Sequence, residues 1–200
     1  MRIHLSGRQA LRGTYHVSGN SNAALALVAA SMLADSTVTL TNVPDTMAVA
    51  RMLEVGTALG MVARREGDRL LLDSGPVDGR GLEREYSDTV TGTLLFVGPI
   101  LARRRHVRIA IDYAVSRLNT HLTALRDLGV QVTISNGVID LEATPWDERE
   151  VILTQTSVTA TTLIAMLAAL LGKRTTIVNA ASEPHVVDVL NLLAAMGAHV

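Results

Sequence analysis

No cysteine occurs among the 200 residues. That excludes a disulfide framework, a thiolate metal site and a cysteine nucleophile within this chain. Aromatic residues are scarce as well, 2% against 48% apolar residues. The core must be built from Ala, Val, Leu, Ile and Met, which suits closely packed helices. Charge of one sign is not in excess. The formal net charge is −1, so no electrostatic footprint for nucleic acid or an anionic membrane stands out. The N-terminal MRIHLSG has no apolar signal region. The longest apolar run, Leu163 to Gly172, is far short of the roughly 20 residues that span a bilayer. These features predict a soluble cytoplasmic protein with no nucleic-acid or membrane partner. No Walker-type loop or Ser-His-Asp arrangement is present. His16 and His106 have no partner at a ligand-like spacing, so neither a metal nor a cofactor is expected.

What the chain does contain is a repeated unit. The turn Ser18-Gly19-Asn20-Ser21-Asn22 opens into an apolar helix pattern through Ala34. Asn20, Ser21 and Asn22 are all good N-cap types, and the free N–H groups of such a helix start favour an anion. A plain cap on a buried helix is the simplest role for it. The same plan recurs in VTGTLLFVGPILARRRHVRI from Val90 and SVTATTLIAMLAALLGKRTTIV from Ser157. Each copy runs from a small polar start through an apolar helix and a short break into a β-rich run. A second helix pattern follows, ending at Leu59-Gly60, Leu128-Gly129 and Met196-Gly197. The near-constant period marks repeated supersecondary units, each read as β/α/β/α/β/β with the glycine at C′.

In chain order, residues 2–17 alternate well enough for two short strands around Gly7 and Gly13. Helices are predicted over Asn22–Leu33, Thr46–Leu59, Thr93–Leu101 and Thr161–Leu171. Those over Asn22–Leu33, Thr93–Leu101 and Thr161–Leu171 are apolar nearly all round, so each is buried on every side. Hairpins are predicted at Met61–Arg65 with Leu70–Asp73, and at Val130–Ser135 with Val138–Glu142 over Asn136-Gly137. Gly75 to Tyr86 and Ala143 to Glu150 read as polar connections at repeat boundaries. Arg103-Arg104-Arg105 sits where a helix ends, where cations are favoured. The fold class is α+β, with helices inside and sheets outside. The repeats are 18–85, 86–150 and 151–200. The third stops before its last hairpin, so the sequence reads as the front part of a longer protein.

The order SG-x-x-NAAL, NVP, GP-x-LAR, SV-x-AT and NAA-x-EP-x-VVD resembles the enolpyruvyltransferases, nearest their UDP-N-acetylglucosamine 1-carboxyvinyltransferase branch. The resemblance runs from Ile3 to Val200. It implies an α/β prism of three β/α/β/α/β/β units, with residues 1–17 belonging to a second domain. It also implies transfer of an enolpyruvyl group from phosphoenolpyruvate to a hydroxyl of a nucleotide-sugar-like acceptor, with release of phosphate. Such chemistry needs cations for the phosphate and carboxylate and a proton donor for the enol methylene.

Residue by residue, the resemblance keeps some functional positions and changes others. The family's turn Lys-Asn is here Ser21-Asn22, so the Asn stays and the phosphoenolpyruvate-binding Lys is replaced. The Arg of the first helix turn in repeat two falls on Thr91. The loop that carries the family's Cys acid is shortened between Ile109 and Arg117, and Arg117 matches the Arg at its end. Asp112 and Tyr113 lie in that loop, where Asp112 reads as a turn residue or a replacement proton donor. The uridine-binding segment becomes Leu118-Asn119-Thr120, with His121 beside it. The other uridine-contacting segment becomes Gln155-Thr156-Ser157-Val158-Thr159. The acidic residue at the second-helix start of repeat one is Ala48, whereas Glu183 is retained. The resemblance thus gives Asn22 and Arg117 as catalytic candidates. Its substrate-binding candidates are Ser21, Thr91, Asn119, Thr120, His121, Ser157, Val158, Thr159 and Glu183. Fold residues are kept while charges are lost, which fits two readings. One is a divergent transferase. The other is a non-catalytic homologue that binds a nucleotide, sugar phosphate or protein partner.

Overall fold

The computed structural model describes residues 2–75, 81–87 and 91–200. Three helix starts use one device. Asn20, Thr46 and Ser157 are extended, and each side chain accepts from the backbone N–H three residues on. They begin α1 (Ser21–Ser31), α2 (Met47–Ala58) and, later in the chain, α6. Between α1 and α2 lies β1 (Val38–Thr41), and the hairpin β2 (Val62–Glu66) and β3 (Arg69–Asp73) follows. The short helix α3 (Arg84–Ser87) opens the next unit. It continues through a 3-10 turn over Thr91–Phe96 into α4 (Val97–Arg104), then β4 (His106–Ala110), a 3-10 turn over Val115–Leu118, α5 (Asn119–Asp127), β5 (Gln131–Ser135) and β6 (Val138–Glu142). The last unit is β7 (Trp146–Ile152), α6 (Val158–Leu171), β8 (Gly172–Val178) and α7 (Pro184–Ala195).

Two of the sheets are built alike. Two antiparallel sheets have the same order, β1-β3-β2 and β4-β6-β5, and β7 pairs in parallel with β8. Gly60, Gly129 and Gly197 all take positive φ (100°, 87° and 105°). They are the left-handed residues just past three helix ends. Asn136 and Gly137 are both left-handed as well, as a two-residue hairpin turn requires. The helices α1, α4 and α6 bury Val28, Ala29, Ile100, Leu101, Ile164, Met166 and Leu167. Around them pack α2, α7 and the inner faces of the sheets. On β4 and β6 the buried residues Val107, Ile109, Ile139 and Leu141 alternate with the outward row His106, Arg108, Asp140 and Glu142.

Residues 2–17, expected to pair with a second domain, are exposed throughout and form no strand within this chain, because a strand exists only where another strand pairs with it. Three local readings of the sequence need correction. The predicted 93–101 helix is split, 3-10 before Val97 and α after it. Pro99 is tolerated in the first turn of an α-helix but not in its interior, so α4 begins just ahead of it. Trp146–Ile152 is a strand rather than a connection. It buries only Trp146 and Val151, and its run of exposed charges hides the pattern. It also spans the expected boundary at residue 150. His106 has partners after all. Glu142 stands directly opposite it in the β4–β6 register, and its Nε2 lies 2.8 Å from Asp140 Oδ1. The Gly75–Tyr86 connection falls partly outside the described residues.

Candidate functional site

The candidate residues fall at helix starts, where loops deliver them. Ser21 is half-buried at the first position of α1, and its Oγ lies 3.5 Å from Thr46 Oγ1 at the start of α2. Thr46 Oγ1 also accepts from Val49 N at 3.3 Å. Neither helix has an acidic residue in its first turn, although Asp45 stands just ahead of Thr46. Asn20, not Asn22, caps α1 through Ala23 N at 3.1 Å. Asn22 is exposed. The side chain of Thr91 lies outside what the structure describes.

The two acceptor segments meet at His121. Its Nε2 is 2.7 Å from Thr159 Oγ1, and Thr159 Oγ1 is 3.5 Å from Ser157 Oγ. Ser157 Oγ accepts from Ala160 N at 3.3 Å. Burial pushes the His121 imidazole below its ordinary value of 6.5. Its other nitrogen, Nδ1, is buried and has no partner among the described residues. Thr120 and Val158 are half-buried beside this string, and Asn119 is exposed. The start of α7 is tied to the same region. Ala181 N donates to Thr161 Oγ1 at 3.0 Å, and Thr156 Oγ1 donates to Asn179 Oδ1 at 2.8 Å.

Other candidates stand apart. Arg117 is exposed, and its guanidinium carbon lies 5.4 Å from the centre of the Tyr113 ring, a cation–π contact inside the shortened loop. Glu183 is exposed at the N-cap position of α7 and makes no capping bond. Among the described residues, no hydrogen bond or ion pair joins Asn22 or Glu183 to another candidate. Thr46 was not foreseen as Ser21's partner, although a Thr ahead of a helix pattern was the available signal. On the outer face of the second sheet, ligand atoms of His106, Asp140 and Glu142 lie within 4.8 Å of one another. Asp140 is already bonded there by His106 and, at 3.4 Å, by Arg108.

Two grooves, of about 660 and 690 Å³, lie away from these helix starts. One runs between the end of α1 and the residues after α7, the other along α6 and β8. Neither is lined by a candidate residue. No helix among the described residues is long and apolar enough to cross a membrane.

Over residues 5–200 the sequence matches the family described as EPSP synthase (3-phosphoshikimate 1-carboxyvinyltransferase). The chain belongs to that family. Among curated relatives of this family, it is 40% identical over 193 residues to the UDP-N-acetylglucosamine 1-carboxyvinyltransferase of Treponema pallidum (strain Nichols), covering 94% of this chain and 45% of the relative. It is 31% identical over 207 residues to the protein of the same name from Synechococcus sp. (strain CC9605), covering 100% and 48%. The chain therefore spans about half the length of these relatives. Its fold is similar to the enolpyruvyl transferase NikO from Streptomyces tendae, with a TM-score of 0.80, 21% identity, and 94% of this chain and 45% of that one covered. EPSP synthase from Acinetobacter baumannii gives a TM-score of 0.69 at 14% identity, covering 90% and 43%. The α+β architecture is thus the enolpyruvyl transferase one.

Proposed function

We propose that this chain supplies one half of an enolpyruvyl transferase acting on phosphoenolpyruvate and a nucleotide-sugar-like acceptor. In the overall reaction the acceptor hydroxyl forms a bond to the enol carbon, the carbon–oxygen bond to phosphate breaks, and the hydroxyl proton leaves. The observation that carries the reading is the short His121–Thr159 bond, which ties together two segments 38 residues apart. Resemblance gives acceptor contact to both segments. In this reading Asn119, Thr120, His121, Ser157, Val158 and Thr159 grip the acceptor. Ser21, Thr91 and Glu183 line the face where phosphoenolpyruvate lies, and Asn22 and Arg117 act at the reacting groups. In this reading the helix starts meet a second half of the same protein, to which residues 1–17 belong. The exposure of Ile3, Leu5, Leu11, Tyr15 and Val17 supports that pairing. The reaction takes place in the cytoplasm.

A second reading, a non-catalytic binder of a nucleotide, sugar phosphate or protein partner, is favoured by one observation. Ser21 replaces a cation, and its hydroxyl is turned to Thr46. The chain's one lysine, Lys173, is on β8 and paired with Asp147 at 2.6 Å. Phosphate release separates the two readings. The full-length natural protein is incubated with phosphoenolpyruvate and a panel of UDP-sugars, nucleotides and shikimate phosphate. Release with one acceptor supports the transferase. A folded protein that releases none supports the binder.

A further inference from the structure

The outer face of the second sheet gathers one imidazole and two carboxylates from two strands. β6 is the central strand, paired with β4 on one side and β5 on the other. Asp140 and Glu142 are two residues apart on it, so both side chains leave the same face. Their inward neighbours Ile139 and Leu141 are fully buried. That fixes the register, because a one-residue slip would bury both acids. His106 stands directly opposite Glu142, and its Nε2 lies 2.8 Å from Asp140 Oδ1. One ligand atom from each of the three lies within 4.8 Å of the others. Arg108 reaches the other oxygen of Asp140, Oδ2, at 3.4 Å. It therefore orients the carboxylate and leaves Oδ1 turned to His106. Among the described residues, no hydrogen bond or ion pair engages the Glu142 side chain. His106 and Glu142 are exposed, so solvent reaches the cluster.

We propose that His106 Nε2, Asp140 Oδ1 and one oxygen of Glu142 form a binding site for a divalent transition metal of the zinc class. An imidazole with two carboxylates suits such a cation better than magnesium or calcium, which take oxygen ligands. Zinc bonds to imidazole nitrogen and carboxylate oxygen run to about 2.0–2.2 Å, so tetrahedral ligand atoms stand roughly 3.4 Å apart. The separations in the cluster, from 2.8 Å to at most 4.8 Å, bracket that value. Rotation of the Glu142 side chain closes the difference without moving either strand. Ligands carried on paired strands are held more precisely than ligands on loops. A bound cation takes the Nε2 lone pair, leaves the ring proton on Nδ1, and replaces the His106–Asp140 hydrogen bond. Three protein ligands leave a fourth position to water. The metal clips β4 to β6. The site is independent of the transferase reading, since none of its three residues is a substrate candidate.

The test uses the full-length natural protein, stripped with a chelator, and zinc alone as the probe. Calorimetry measures zinc binding by the parent, H106A and E142Q. Each variant is expected to bind at least about tenfold more weakly, since losing even an outer-shell partner costs that much. E142H sets a second imidazole opposite the first and is expected to tighten binding by about tenfold. Saturating zinc is expected to raise the melting temperature of the parent by more than that of H106A or E142Q. Calcium and magnesium at the same concentration are expected to leave zinc binding unchanged. No zinc binding by the parent, or equal affinity in the parent and H106A, would overturn the proposal. A loss in H106A with parental affinity in E142Q would reduce the cluster to a His–Asp pair and overturn the three-ligand site. If H106A or E142Q melts early in chelator, E142H decides. A damaged fold does not tighten binding, so a gain there supports the site and its absence counts against it.

Discussion

The backbone carbonyl of Asn42 fills the space where a Cβ on residue 19 would sit. The turn that starts α1 is therefore pressed directly against the loop that starts α2. Gly19→Ala is expected to destabilise the protein by about 1–3 kcal/mol, because backbone rather than a flexible side chain must move. Urea denaturation of the variant against the parent checks this. The same shift would separate Ser21 from Thr46, so phosphoenolpyruvate binding should weaken along with stability.

Arg103 holds the far end of α1 rather than a ligand. Its Nη1 donates to Met32 O at 2.9 Å and Ala34 O at 3.1 Å, and its Nη2 pairs with Asp35. These bonds satisfy carbonyls that a helix end leaves open. Arg103→Ala should lower stability by about 1–3 kcal/mol, the range for hydrogen bonds from a charged group. Asp35 is 94% exposed, so Asp35→Asn should change stability by less than about 1 kcal/mol. Thermal or denaturant melts of the two variants would show the difference.

Protonation of His121 opposes folding. Burial lowers its pKa in the folded state below 6.5. Between that lowered value and 6.5, the unfolded chain binds a proton that the folded chain does not. The contribution is full above 6.5, falls as pH drops below it, and levels off under the folded value. His121→Gln should therefore flatten the stability profile as pH falls through 6.5. Denaturation midpoints on both sides of that pH measure it. An unchanged slope in H121Q would contradict the assignment.

The helix caps and turns were legible because single residues dictate them. Asn20, Thr46 and Ser157 start helices, Gly60, Gly129 and Gly197 end them, and Asn136-Gly137 closes a hairpin. Long-range pairing was not. The strand Trp146–Ile152 is specified by its partner Gly172–Val178, which no local pattern announces. His106 meets Asp140 and Glu142 only through sheet register. The same holds at the site. Resemblance named the segments around His121 and Thr159, but only the packing of α5 on α6 brings them within 2.7 Å.

Ser21 offers a gain-of-function prediction. It is half-buried at the joined starts of α1 and α2, beside the positive end of a helix dipole. Ser21→Lys should tighten phosphoenolpyruvate binding by about tenfold or more, because a charge-assisted bond replaces a neutral one. Calorimetric titration with phosphoenolpyruvate is the measurement. Unchanged affinity would remove Ser21 from the anion site.

Enolpyruvyl transfer itself is tested most directly by weighing the acceptor. The full-length natural protein is incubated with phosphoenolpyruvate and UDP-N-acetylglucosamine or another nucleotide sugar, and the acceptor is analysed by mass spectrometry alongside the phosphate released. The account predicts one acceptor that gains an enolpyruvyl group in step with phosphate. Phosphate without a modified acceptor, or a folded protein that yields neither, would contradict it.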